Sequence, residues 1–440
     1  MFIYGKYRYI KPIKTLIAWN YHDILKCLSY IQTHIDKKKK GYFVGYLTYE
    51  SAIILQAYHY LEHKIFKQMK TNKLEDSITQ PLLYFSLFKK CKKIKKEKDL
   101  KLFHKHKDFI KNKNIVKTNS HCLVRNENFL LHSELFEVLE GLNKDCYHKN
   151  FYDIKNAISK GESYQVNYTQ EIKLKPMLKI SSWQYFLLLS RMQYTKYRAY
   201  IANEYTEILS FSPELFFKVK GNEIITQPMK GTIARAYRNN LKQQHDITLK
   251  SKQTRFVHTK KRKQHSYEID VKQDLKNKKK LQNDLKNRSE NVMIVDLLRN
   301  DLSRIATQGS LKVSELFTIH TYPTLHQMVS TIRARLSKKY RILDILYALF
   351  PCGSITGAPK LETMSLISQL ESRKRGVYCG AIGVLSKKKI SLSIPIRTLS
   401  KATNESFYRY GVGSGIVWDS NMEHEFEELK LKCNFLGITF

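Results

Sequence analysis

A strand-like run with glycine at every second position, Tyr410-Gly411-Val412-Gly413-Ser414-Gly415-Ile416-Val417, narrows most what this chain can build. Glycine weakens a strand interior, because it costs backbone entropy and packs no side chain. Its repeated use there predicts close approach of a ligand, with free backbone N–H groups suited to a carboxylate. Residues 423–435 then read as a closing helix, on which Glu425, Glu428 and Lys432 recur at i, i+3 and i+7 and share a face. Phe426, Leu429 and Cys433 supply the neighbouring apolar face. Alone, the charged face is an ordinary exposed Glu/Lys pair. Beside a glycine-rich strand it becomes a candidate binding site.

Three other segments carry candidate chemistry. Glu290 opens a predicted helix with Ser289 as its N-cap, and Val292, Val295, Leu298, Leu302 and Ile305 fall near helical spacing. As a first-turn glutamate, Glu290 is favoured by the helix dipole alone. Glutamates from two helices, with water and a substrate carboxylate, would also suit Mg²⁺, which takes few protein carboxylates. Residues 351–360, Pro-Cys-Gly-Ser-Ile-Thr-Gly-Ala-Pro-Lys, mark a rigid loop leading into a helix over 361–370. That loop is either a simple turn or a substrate lining with a hydroxyl donor. Lys230 stands in Thr226-Gln227-Pro228-Met229-Lys230-Gly231-Thr232, and only its context separates it from the other 76 basic residues among 77.

The 440 residues suffice for a large core, and a hydrophobic fraction of 42% is near the globular average. The net charge of +38 is spread along the chain, so it reads as solvated surface that can draw in a dicarboxylate. The seven cysteines include no Cys-x-x-Cys, which argues against a disulfide framework or a zinc site. No run approaches a membrane span, and no signal peptide is visible, so a soluble, cytoplasmic protein with reduced thiols is expected.

Coarse patterning separates an N-terminal region, 1–125, from a more regular region, 148–440. In the first, 42–51 read as a strand and turn, and 89–98 as a lysine-rich loop or exposed helix face. In the second, 150–160 read as a helix ended by Gly161, 164–174 as a strand and 183–192 as a helix. Strands are predicted over 201–210 and 215–219, around Ser212-Pro213-Glu214, and sheet over 321–336 and 377–399. Residues 236–289 are polar and basic, with Lys-Lys-Arg-Lys at 260–263, and read as a solvated insertion. A basic protein gripping nucleic acid through 250–282 is the alternative of another class, but basic runs are usually just solvated and no nucleic-acid partner is expected.

Taken in order, the motifs define a resemblance. They are 161–167 (Gly-Glu-Ser-Tyr-Gln-Val-Asn), Ser-Pro-Glu-Leu (212–215), Pro-Met-Lys-Gly-Thr (228–232), and 290–301, which ends Asp-Leu-Leu-Arg-Asn-Asp. Ser-Ile-Thr-Gly-Ala-Pro-Lys (354–360), Arg-Gly-Val-Tyr-Cys-Gly-Ala-Ile-Gly (375–383), Ile-Pro-Ile-Arg-Thr (394–398), the glycine run and Glu-Phe-Glu-Glu-x-x-x-Lys (425–432) follow. This series resembles the catalytic domain of the chorismate-using enzymes: anthranilate, aminodeoxychorismate and isochorismate synthases. It covers about two-thirds of the chain; the N-terminal region matches loosely, chiefly at 45–50.

The resemblance implies an α+β fold of two large packed antiparallel sheets with helices outside. It implies Mg²⁺ held by Glu290 and Glu428 with Glu425 close by, and Glu214 as the acid that protonates the leaving C4 hydroxyl. It places Arg397, Tyr378 and the Gly413-Ser414-Gly415 backbone on substrate carboxylates, with Thr356 and Lys432 lining the pocket. Members that use water carry a lysine where this chain has Gln165, which resembles the ammonia-using branch. Within that branch, anthranilate synthases have Pro-x-Ala-Gly-Thr and aminodeoxychorismate synthases have Pro-x-Lys-Gly-Thr, so Lys230 resembles the latter. There the lysine is implied to attack C2 of chorismate and to be displaced by ammonia, for which burial should lower its pKa.

The implied product is 4-amino-4-deoxychorismate, on the way to 4-aminobenzoate and folate; anthranilate is the alternative product. No Gly-x-Cys-x-Gly amidotransferase motif and no appended lyase are seen, so a separate glutamine amidotransferase subunit and a separate aminodeoxychorismate lyase are implied. The chain departs from the pattern at Gln327, where the ammonia-using branches have histidine, and at Phe211, where the family has a small residue. The adjacent His326 reads as a packed histidine.

Overall fold

Runs of β-branched and aromatic residues, broken by short polar turns, give antiparallel ladders in the computed structural model. It describes residues 1–60, 79–94, 135–193, 195–236, 269–322, 325–337, 339–438 and 440. The first of two compact units comprises Met1–Pro228, Ile294–Ser314 and Thr331–Phe440; the second comprises Met229–Met293 and Glu315–Ser330.

In the first unit two series of strands can be followed. One runs from Tyr7–Ala18 to Leu83–Lys93, Tyr42–Leu47, Ala381–Ser386, Lys389–Ser393, Leu215–Lys220 and Glu223–Gln227. The other runs from Phe136–Glu140 to Gln165–Pro176, Tyr408–Val417, Thr398–Ala402, Thr206–Ser210 and Ala199–Ala202. Phe2–Tyr4 pairs with Ala199–Ala202 on one edge and with Tyr7–Ala18 on the other, joining the series through hydrogen bonds. Between them lies an apolar cluster of Phe2, Tyr9, Val44, Tyr46, Tyr84, Ile201, Ile208, Ile382 and Val384. Helices cover the outer faces. Tyr21–Asp36, Tyr49–His59 and Ile342–Leu349 pack on the first series, and Lys144–Ser159, Ser182–Met192 and Met422–Cys433 on the second. Two packed antiparallel sheets with helices outside are therefore present, as expected.

Boundaries differ from expectation where a local cap outbids the apolar pattern. The 42–51 strand stops at Leu47, because Thr48 caps a helix, Tyr49–His59, by accepting the Ser51 N–H at 3.2 Å. Lys89 to Lys93 continue the strand Leu83–Lys93 and are neither loop nor helix; Lys90 to Lys93 pair with Ile10 to Tyr7. The helix before Gly161 begins earlier than predicted, at Lys144, capped by Asn143. Gly161 follows it with φ +73°, as a C-terminal glycine should.

Two corrections fall in the polar stretch 236–289. Residues Val271–Asn283 form a helix that buries Asp274 and Leu281, seven residues apart and so on one face. One narrow buried stripe leaves little apolar signal in the sequence. Ser289 is not an N-cap: the next helix is Leu285–Ser303, and Asp284 accepts the Asn287 N–H at 2.8 Å. Glu290 therefore sits in the second turn and has no first-turn advantage. Residues 237–268, with the basic run at 260–263, lie outside the described residues.

Among the described residues the six cysteines are all free, and no helix is long and apolar enough to cross a membrane. Lys360 and Asp301 form a buried ion pair at 2.5 Å, and the ammonium also donates to the Ala348 and Leu349 carbonyls. This fastens the end of the helix Ile342–Leu349 to the loop that follows it. Truncating one partner of such a pair strands a buried charge, which costs about 3–5 kcal/mol.

Candidate active site

The glycine-rich strand Tyr408–Val417 pairs residue for residue with Gln165–Pro176, from Tyr408 opposite Leu174 to Val417 opposite Gln165. A Cβ at Gly413 would stand 2.6 Å from Thr169 Cγ2 and 2.7 Å from the Tyr168 carbonyl; one at Gly411 would strike the Tyr378 ring at 2.4 Å. Packing of the partner strand and of Tyr378 thus demands these glycines before any ligand does. The backbone at Gly413 and Gly415 still reaches solvent, while Ser414 is buried between them with its hydroxyl 2.9 Å from that of Tyr147.

The helix Met422–Cys433 is tied to this strand by Lys432. Its ammonium donates to the Gly413 carbonyl at 2.6 Å and pairs with Glu428 at 2.7 Å, while Tyr410 donates to the Lys432 carbonyl at 2.9 Å. Glu425 is buried and accepts the Ser420 hydroxyl at 2.8 Å. Glu428 is half exposed. Arg397, at φ +52°, donates no guanidinium hydrogen bond to any described residue. Burial pulls its pKa below the ordinary arginine value, partly offset by Tyr410. A partly desolvated guanidinium that meets no described acceptor is a fork suited to a carboxylate. Burial likewise raises the Tyr378 phenol well above its usual value, so Tyr378 stays a neutral donor.

Gln165 is fully buried, and neither its amide oxygen nor its amide nitrogen has a partner among the described residues. Leaving buried polar atoms unmet costs roughly 1–3 kcal/mol each, so a ligand is the natural partner. Thr356 is also buried, but its hydroxyl donates to the Cys352 carbonyl at 3.0 Å. The loop hydroxyl that meets a candidate catalytic group is instead Ser354, which donates to Glu214 Oε1 at 2.8 Å. Glu214 itself is 4% exposed.

Arg375, which opens the 375–383 motif, has a role that the motif does not show. Its buried guanidinium binds Glu371 twice, at 2.8 and 2.7 Å, and the carbonyls of Ile355 and Asn167 at 2.8 Å. It thereby fixes the 353–355 turn against the strand that carries Gln165. Glu50, in the loosely matching N-terminal motif, accepts the backbone N–H groups of Arg375 at 2.8 Å and Gly376 at 3.1 Å. Burial raises its pKa despite these bonds. A Glu at the start of the helix Tyr49–His59, five residues after a strand glycine, carries no local sign of so distant a partner.

In the second unit, Lys230 pairs with Glu290 at 3.3 Å, each side chain 15% exposed. The strand Met229–Ala234 runs beside Leu325–Arg335, and its register shifts between Met229 and Thr232, so Lys230 and Gly231 lie in an irregularity. Such bulges re-aim a side chain. Gly231 has φ +78°, and a Cβ there would stand 2.7 Å from Asn287 and 2.9 Å from Leu281. Only glycine lets the strand turn Lys230 toward Glu290 with those neighbours in place. Gln327 donates to Thr232 at 3.4 Å. His326, on the opposite strand face, is buried between Thr321 and Asp274, each at 3.0 Å, as a packed histidine. Burial opposes the Asp274 charge, but Arg235, the Ala236 N–H and His326 outweigh it and hold that carboxyl at about 2.

Phe211 is fully buried between Phe186 and Phe435, so its bulk is taken up in the apolar core of the first unit. Glu425 and Glu428 belong to the first unit and Glu290 to the second. Among the described residues, no group of three or more His, Cys, Asp or Glu side chains is placed to hold a metal ion.

An α+β double sheet with buried acids, a glycine-rich strand and an arginine whose guanidinium meets no described residue has the donors that a small carboxylic acid would need. The profile of the chorismate binding enzymes matches residues 4–437, and the chain belongs to that family. Aminodeoxychorismate synthase component 1 of Escherichia coli strain K12 is 36% identical over 294 residues, 67% of this chain and 57% of that protein. Its Salmonella typhimurium counterpart is 37% identical over 289 residues, 66% and 56% of the two chains. Anthranilate synthase component 1 of Saccharolobus solfataricus is 31% identical over 298 residues, 68% and 62%. The match thus spans little more than half the length of the aminodeoxychorismate synthases. In fold, anthranilate synthase component I from Streptococcus pneumoniae TIGR4 superposes with a TM-score of 0.68 at 19% identity, covering 99% of this chain and 92% of that one.

Proposed function

We propose that this chain aminates chorismate, converting chorismate and ammonia to 4-amino-4-deoxychorismate as an aminodeoxychorismate synthase component I. The observation that carries the reading is Lys230, aimed by a strand irregularity and Gly231 toward Glu290 at 3.3 Å. In the proposed course, Arg397, Tyr378 and the backbone of Gly413, Ser414 and Gly415 hold the substrate carboxylates. The Lys230 amine bonds to C2 as the ring double bonds shift, the C4–O bond breaks, and Glu214 gives its proton to the departing hydroxyl. The proton shed by the Lys230 ammonium passes to solvent, which both Lys230 and Glu290 still reach. Ammonia then bonds to C4, and the C2–N bond to Lys230 breaks. Gln165, buried with neither amide atom met by a described residue, offers polar contacts to the substrate.

The carboxylates Glu290, Glu425 and Glu428 are hard oxygen donors of the kind Mg²⁺ takes, and Glu428 is exposed enough to exchange Lys432 for a cation. We assign them as the Mg²⁺ ligands. When bound, the ion would act as a Lewis acid toward the substrate carboxylate. Thr356 shapes the loop and Lys432 holds the glycine strand. A glutamine amidotransferase subunit supplying ammonia, and a lyase consuming the product for 4-aminobenzoate and folate, are the proposed partners. A cytoplasmic setting suits that chemistry and the free cysteines.

The test is the nucleophile. With chorismate and Mg²⁺, consumption should require ammonium salt and rise with ammonia concentration. Steady conversion to isochorismate in its absence would place the chain in the water-using branch.

A further inference from the structure

The backbone of Glu214 is held by Ser212 and Ile394. Its N–H donates to the Ser212 hydroxyl oxygen at 3.2 Å, that hydroxyl donates to the Ile394 carbonyl at 2.5 Å, and the Ile394 N–H donates to the Glu214 carbonyl at 3.2 Å. The carboxyl group is met by a chain from a different element. The short turn Gly353–Ile355 points Ser354 Oγ at Glu214 Oε1, 2.8 Å away, and Cys352 Sγ lies 3.3 Å behind Ser354 Oγ. Since the Ser354 proton is committed to the carboxyl, the Cys352 thiol is the donor to Ser354. Burial, then the charge of Glu214, pushes that thiol up to about 12, so it keeps its proton at neutral pH. Cys352, Ser354 and Glu214 are all buried.

We infer that Ser354, oriented by Cys352, is a positioning residue for Glu214: its bond to Oε1 fixes the rotation of the carboxyl group that gives the proton to the leaving hydroxyl. The inference rests on the reading of Glu214 as the proton donor. Its physical effect is larger in the transition state than before it. As Glu214 loses its proton, the acceptor of the Ser354 hydrogen bond gains negative charge, and bonds to charged acceptors are about twice as strong as neutral ones. No proton need pass along the chain, and no bond is made or broken at Cys352 or Ser354.

The experiment is a double-substitution cycle on the full chain with chorismate, Mg²⁺ and ammonium chloride, with melting temperatures recorded for each variant. Ser354→Ala should lower kcat roughly 10- to 100-fold, the range of a charge-assisted hydrogen bond, with KM for chorismate changed less than about threefold. Ser354→Thr, which keeps the hydroxyl, should recover most of the loss. In a Glu214→Gln background, Ser354→Ala should have no further effect, because the group it positions is gone. Full activity in Ser354→Ala, or an equal loss in both backgrounds, would overturn the inference alone. Full activity in Glu214→Gln would remove the proton-donor reading, and the inference with it.

Discussion

Lys230→Ala should cut formation of 4-amino-4-deoxychorismate by on the order of 10³-fold or more while leaving the protein folded. A covalent nucleophile splits one hard displacement into two easier ones, and its loss forces direct attack of ammonia at C4. Folding should survive because the Lys230–Glu290 pair is a single bond at the edge of a ladder, and both side chains retain some solvent. The companion result is positive. Intact-mass analysis of the parent, quenched during turnover with chorismate, should show an adduct mapped to the peptide containing Lys230. Undiminished product from Lys230→Ala would remove the covalent role. A large loss with no adduct under any quench would leave Lys230 a charge, not a nucleophile.

Glu428→Gln should lower turnover by roughly 10²- to 10³-fold, because Lewis-acid stabilisation supplies several kcal/mol of barrier reduction. The loss should be partly recovered at high Mg²⁺, and calorimetric Mg²⁺ binding in the presence of chorismate should weaken in parallel. Lys432 offers an internal control. It pairs with Glu428 at 2.7 Å but also holds the Gly413 carbonyl at 2.6 Å. Lys432→Met should therefore disturb substrate affinity while leaving a Mg²⁺ response. Unchanged Mg²⁺ affinity in Glu428→Gln would refute the assignment of that carboxylate as a ligand.

The sheet architecture was legible because its strands carry period-two patterning and the glycine run fixes one partner closely. The capped boundaries were not: Thr48 and Asp284 act through one backbone hydrogen bond each, a signal easily outweighed by neighbouring apolar residues. The helix Val271–Asn283 was hidden because only Asp274 and Leu281 are buried in it. Among site residues, Lys230 could be singled out from its Pro-x-x-Gly-Thr frame, and Gly231 shows why that frame matters. Ser354, Arg375 and Glu50 meet Glu214, Asn167 and the 375–376 backbone 140, 208 and 325 to 326 residues away, through hydrogen bonds that no local pattern encodes. The glycines at 411 and 413 have a second reason that no sequence pattern shows: a Cβ there would strike Tyr378 and Thr169.

Purified protein incubated with chorismate, Mg²⁺ and ammonium chloride should yield, by liquid chromatography and mass spectrometry, 4-amino-4-deoxychorismate that retains its enolpyruvyl group, without stoichiometric pyruvate. Anthranilate as the main product, released together with pyruvate, would contradict the account.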